Sequence, residues 1–106
     1  MEETKMATGD GKEIRVIAQA FARSENVAAV LTVLKNMLIP TRAEKGCIAY
    51  DLHVVLGDAY QFVFFEIWES EAALEAHART PHYQALELAQ SLMTEPLKIT
   101  KLRKLL

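Results

Sequence analysis

The chain has 106 residues, of which 51% are hydrophobic and 25% charged, with a formal net charge of -2. This is the balance of one globular domain with no room for a second core, and it supplies no electrostatic drive toward nucleic acid. No apolar stretch approaches the roughly 18 residues needed to span a bilayer, the N-terminus lacks the apolar core of a signal peptide, and the single Cys47 cannot form an internal disulfide, so a cytoplasmic location without membrane partners is expected.

Residues 1–12 mix charged residues with Thr4, Thr8, Gly9 and Gly11 without an apolar period, which predicts a flexible tail ahead of a domain over residues 13–106. From Ile14 to Phe21 the alternation of Ile14, Val16, Ala18 and Ala20 with Arg15, Ile17 and Gln19 predicts a strand with apolar surface on both faces. Ser24 or Asn26 is placed to cap a helix whose apolar stripe is Val27, Val30, Leu31, Leu34 and Leu38. Pro40 should kink or end that helix near Ile39, leaving 41–45 as a trailing turn before Gly46.

Residues 47–56 read as a second strand, with Ile48, Tyr50, Leu52, Val54 and Leu56 on one face and Cys47, Ala49, Asp51, His53 and Val55 on the other. Residues 57–60 form a hairpin connection, and 61–69 a third strand that is apolar on both faces. Ser70 caps a short helix that carries Leu74 and His77 on one side. Thr80-Pro81 is a cap followed by proline at the first helical position, opening a helix to about Met93. Leu97 and Ile99 alternate with Lys98 and Thr100 in a last strand, whose solvated side carries Lys98, Lys101, Arg103 and Lys104. The order βαββαβ, with its second helix broken in two, is the ferredoxin-like α+β plait with an antiparallel sheet.

Three histidines carry the acid-base potential. His53 lies mid-strand on the face opposite Tyr50, where a neutral imidazole can exchange a proton near pH 7 or merely bond to a neighbouring strand. His77 faces inward from its short helix, either toward a pocket or as a buried ring bonded to backbone. His82 opens a helix whose dipole favours the neutral ring, so it can orient a substrate oxygen or sit at the surface. Glu66 shares a strand face with Phe64 and Trp68, and if buried it must be paired or protonated, with Arg15 or Arg42 as candidate partners. Trp68 can stack on an aromatic ring, and the hydroxyls of Tyr50 and Tyr83 can hold a phenolate; each side chain serves equally as core. The spacing of His77 and His82, five apart across a helix break, does not match a metal-binding pair, and no metal is expected.

The segments Gly46-Cys47-x-x-Tyr50-x-Leu52-His53, Phe65-Glu66-x-Trp68-x-Ser70, Ala73-Leu74-x-x-His77 and Thr80-Pro81-His82-Tyr83 resemble the antibiotic biosynthesis monooxygenase family, and the resemblance extends over residues 13–106. It implies a homodimer in which two sheets pack into a dimeric α/β barrel. It also implies a cofactor-independent monooxygenase, without flavin, haem or metal, acting on a small aromatic or quinol-like substrate. In such a site the pocket desolvates the substrate and takes its proton, and the resulting anion reacts with dioxygen. The resemblance places His53, His77 and His82 as proton carriers and Tyr50, Phe64, Glu66, Trp68 and Tyr83 as substrate contacts. The family's haem-degrading branch carries a tryptophan where this chain has His77 and an axial histidine where it has Glu87, so haem chemistry is not implied. A non-catalytic ligand-binding or stress-associated dimer is the alternative from another class. An isomerase of a small phosphorylated carbonyl compound is a third, which requires Arg15, Arg42 or Arg79 in the pocket.

Overall fold

The computed structural model describes residues 12–106, so all but the last residue of the expected N-terminal tail lies outside the described residues. Four strands, β1 (Ile14–Phe21), β2 (Cys47–Val55), β3 (Asp58–Trp68) and β4 (Lys98–Leu102), form one antiparallel sheet in the order β2-β3-β1-β4. Helices α1 (Val27–Asn36), α2 (Leu38–Arg42), α3 (Glu71–His77) and α4 (Pro81–Leu88) connect them. This is the ferredoxin-like α+β order expected from the sequence.

The alternation along β1 and β3 sets the core. Ile14, Val16, Ala18 and Ala20 are buried on one face of β1, and Phe62, Phe64, Glu66 and Trp68 are buried on the matching face of β3. Register then aligns two rows across the sheet. Tyr50, Glu66, Val16 and Lys101 are neighbours in one row, and Leu52, Phe64, Ala18 and Ile99 in the next. Against this face α1 packs Val30 and Leu34, while Leu86 and Ala89 come from α4 and the 3₁₀ turn that follows it over Ala89–Leu92. The helix predicted to run to Met93 therefore tightens after Leu88, and Met93 is buried in extended backbone, bridged to Ala22.

Three local expectations are corrected. Neither Ser24 nor Asn26 caps α1 through its side chain; a 3₁₀ turn over Ser24–Asn26 feeds the helix instead, closed by the Asn26 amide donating to the Arg23 carbonyl at 2.9 Å. The Pro40 break falls earlier than Ile39, at Met37. A proline ring clashes with the carbonyl four residues before it, here Asn36, so α1 ends there and Pro40 is accommodated in the first turn of α2, where no amide donor is required.

In β2, Cys47 pairs with Trp68 but Ala49 with Ile67, a bulge that turns Ile48 outward to 54% exposure and brings Cys47 to the core side. The expected parity holds from Tyr50 to His53; Val54 is exposed, a second register shift falls between Val54 and Val55, and Leu56 beyond the strand is exposed.

Candidate functional site

Between the sheet and helices α3 and α4 lies a cavity of about 170 Å³, open on one side. Small side chains on β1, Val16 and Ala18, leave room in the sheet rows, and Tyr50, Phe64 and Tyr83 supply aromatic walls. Tyr50 and Phe64 stack with ring centroids 4.6 Å apart. The mouth is crossed by an ion pair in which Lys101 Nζ donates to Glu71 Oε2 at 2.7 Å. Lys101 thus lines the cavity rather than belonging to a purely solvated strand side. Arg15 instead pairs with Glu13, and Arg42 donates to the Tyr50 carbonyl and Asp51; neither they nor Arg79 line the cavity.

Inside the mouth, a buried carboxyl and a buried imidazole, Glu66 and His77, stand among the apolar and aromatic walls. Glu66 is buried, and its partner is neither Arg15 nor Arg42. The indole Nε1 of Trp68 donates to Glu66 Oε1 at 2.9 Å. Burial pushes the Glu66 carboxyl up to about 7, with the Trp68 hydrogen bond opposing and the negative charge of Glu44 adding to the rise.

His77 is 2% exposed, delivered by α3, whose start is fixed by the Ser70 hydroxyl accepting from the Ala73 amide at 3.1 Å. Its ring lies 4.7 Å from that of Trp68 and 5.1 Å from that of Tyr83. Burial lowers its pKa, outweighing the hydrogen bond and charge of Glu44 that raise it, while His82 lowers it further. The ring is therefore neutral at pH 7. The Tyr50 and Tyr83 hydroxyls are both held protonated by burial, reinforced for Tyr50 by the charge on Glu66 and for Tyr83 by those on Glu87 and Glu66.

The residue that sequence reasoning missed is Glu44. It stands in the turn between α2 and β2, and its Oε2 lies 2.7 Å from His77 Nδ1 and 2.6 Å from His82 Nε2. Gly46, at φ +89°, shapes that turn, and its carbonyl accepts from the Glu69 amide at 2.8 Å, tying the turn to the start of α3. His82 is positioned by α4, where Thr80 Oγ1 accepts from the Tyr83 amide at 3.2 Å and Pro81 occupies the first turn. The available signal was chemical. Two imidazoles on consecutive helices facing one interior call for a shared acid, and Glu44 precedes the strand that borders them. The donor atoms of Glu44, His77 and His82 lie within 4.8 Å of one another, a set that can share protons or ligate a small cation. Spacing of the histidines alone did not reveal this trio.

The remaining candidates fall outside the cavity. His53 is exposed on the opposite face of the sheet, with Nδ1 3.2 Å from the Val63 carbonyl, and does not join the other histidines. Trp68 lies behind the lining as the partner of Glu66 and His77. Cys47 packs at the edge of the core; burial and the charges of Glu44 and Glu66 push its thiol up to about 11, so it stays protonated. Among the described residues no helix is long and apolar enough to cross a membrane.

Comparison with known proteins agrees with the fold. Residues 13–87 match the sequence model of the family described as antibiotic biosynthesis monooxygenase. The chain is 37% identical over 93 residues to "Putative monooxygenase Rv0793" of Mycobacterium tuberculosis, covering 87% of this chain and 91% of that protein. The solved structure of Rv0793 superposes with a TM-score of 0.80, covering 85% of this chain and 92% of that one. PA3566 from Pseudomonas aeruginosa superposes with a TM-score of 0.83 at 32% identity, covering 90% and 96% of the two chains. "Putative monooxygenase YcnE" of Bacillus subtilis is 29% identical over 89 residues, covering 81% of this chain and 94% of that protein.

Proposed function

The chain belongs to the antibiotic biosynthesis monooxygenase family, and from that premise we propose that it oxidises a small aromatic, quinol-like substrate with dioxygen, using no flavin, haem or metal. The observation that carries this reading is the pairing of His77 with an apolar, aromatic-walled cavity of about 170 Å³, slightly larger than a cavity of about 150 Å³ known to hold a benzene ring. Desolvation there disfavours a lone phenolate, so forming one needs a base that takes the proton and stays beside it as a cation, and a neutral imidazole is suited to do so near pH 7.

In the proposed reaction the substrate O–H breaks, its proton passes to His77, and the electron pair stays on oxygen. The electron-rich anion then reduces dioxygen and bonds to it at a ring carbon. One oxygen atom remains on the ring, the other leaves as water, and the quinol supplies all four electrons as it becomes a hydroxyquinone. Tyr50 and Tyr83 contribute walls and hydroxyl donors, Phe64 stacks, and Glu66 anchors a substrate hydroxyl.

The isomerase reading requires a guanidinium in the pocket, and among the described residues the only cation lining it is Lys101, already paired with Glu71. Oxygen consumption by metal-stripped protein across a panel of hydroquinones and polyphenols tests the oxygenase reading. Uptake above autoxidation that is lost in His77→Ala supports it; uptake no faster than autoxidation across the panel rejects it in favour of ligand binding without turnover.

We further propose that a second copy covers the outer face of the sheet. Ile17, Val63, Phe65 and Ile67 stand there, none fully buried within this chain. A domain of this size gains stability from covering such a surface.

A further inference from the structure

The histidine that faces the cavity does not stand alone, and the way it is held fixes its chemistry. A carboxylate oxygen only accepts hydrogen bonds, so an imidazole nitrogen 2.7 Å from Glu44 Oε2 must carry a hydrogen. His77 is therefore the Nδ1–H tautomer. That leaves Nε2 with its lone pair, on a ring that lines the cavity, with no hydrogen-bond partner among the described residues. The same oxygen accepts from His82 Nε2 at 2.6 Å. Burial falls off along this line: the side chain of His77 is 2% exposed, that of Glu44 13% and that of His82 20%.

We propose that Glu44 is a positioning residue that holds His77 as a base toward the cavity, and that Glu44 and His82 together form the route by which the substrate's proton passes to solvent. The proposal rests on the oxygenase reading for its substrate, but the tautomer it assigns does not. Each transfer is balanced. The substrate O–H proton bonds to Nε2 as the Nδ1 proton moves to Glu44 Oε2. That oxygen then releases its proton to Nε2 of a His82 ring that has exchanged through water to its Nδ1–H tautomer, and the ring loses the Nδ1 proton to water, which restores the Nε2–H donor. The chain of contacts brings a hydrogen-bonded carboxylate behind a catalytic imidazole, the arrangement that orients histidine and stabilises its cationic form.

The groups that bear on His77 come from every element around it. They are Glu44 from the turn before β2, Tyr50 from β2, Glu66 from β3, and His82 and Tyr83 from α4. Among these Glu44 is the one anion in direct hydrogen bond with the ring, so its removal is separable from the rest.

The test uses the full chain labelled with nitrogen-15. Long-range proton–nitrogen spectra of the parent should show His77 as the Nδ1–H tautomer; an Nε2–H ring would overturn the proposal. In Glu44→Gln the His77 titration midpoint should move to lower pH, because the carboxylate that favoured the cation is gone. An unmoved midpoint would overturn it as well. With a quinol that the parent oxidises, Glu44→Gln should lower kcat at least about 10-fold with KM within about 2-fold. His82→Ala should lower kcat in dilute buffer and recover it in added imidazole; a loss that no buffer restores, or no loss, removes His82 from the route. A parent that oxidises no quinol sinks the oxygenase reading while the tautomer and titration results still decide the role of Glu44.

Discussion

Trp68 Nε1 and Glu66 Oε1 meet at 2.9 Å in the floor of the core, two residues apart on one face of β3. The contact gives the buried carboxylate a hydrogen-bond donor and satisfies the indole N–H at the same time. Trp68→Phe keeps an aromatic ring but leaves the acid without that donor. Stability should fall by about 1–3 kcal/mol from the lost hydrogen bond, with more from the smaller ring, as read by urea unfolding.

Glu66 also predicts a pH dependence. Its folded pKa of about 7 lies above the ordinary carboxylate value of 4.5, so the folded state binds the proton more tightly than the unfolded chain. The stabilisation is fully present below pH 4.5 and is lost as pH rises through about 7, a difference on the order of 3 kcal/mol. His77 acts oppositely: its lowered pKa makes stability fall as pH drops below about 6.5. Comparing parent with Glu66→Gln isolates the first effect. The variant should gain on the parent between pH 5 and 8, and parallel melting profiles would contradict the assignment.

The two faces of the sheet predict different fates for two histidines. His77→Gln should lose quinol-dependent oxygen uptake by about 100-fold or more, the usual scale of an acid-base group. His53→Ala, on the opposite face of the sheet, should stay within about 2-fold of the parent, since its ring does not line the cavity. Equal losses in the two variants would place the chemistry elsewhere.

Gly46 and Gly57 both sit at positive φ, +89° and +87°. A Cβ at Gly46 would stand 2.6 Å from Ala73 Cβ, whereas at Gly57 it would meet nothing within 4 Å. Gly57→Ala should therefore cost only the backbone strain, about 1–2 kcal/mol. Gly46→Ala adds overpacking against α3, for about 2–4 kcal/mol. Thermal denaturation of both variants tests the contrast, and only Gly46→Ala should displace the Glu44 turn and perturb the His77 signals.

Sedimentation tests the proposed second copy. The parent should run as a dimer at micromolar concentration, and Phe65→Lys, which puts a charge in the outer face of β3, should shift it toward monomer. A parent that remains a well-folded monomer would refute the paired-sheet arrangement.

Local signals determined much of this protein. Alternation set β1 and β3 and which residues of each turn inward, Ser70 and Thr80-Pro81 marked the starts of α3 and α4, and the motifs between Gly46 and Tyr83 pointed to the family. All of these are encoded within a few residues, where backbone preference and side-chain period act directly.

Partnership of the buried polar groups was decided by the tertiary structure. Glu44 meets His77 and His82 across 33 and 38 residues of chain, a contact that depends on how the α2–β2 turn docks against two helices. Glu66 took the neighbouring indole instead of a distant guanidinium because Arg15 and Arg42 found partners elsewhere. The bulge at Ile48 reversed the parity of the first residues of β2, and sheet packing put His53 on the far side from the cavity. A buried polar atom must find whichever partner the assembled elements bring within reach, and that is fixed by register and docking across the whole chain.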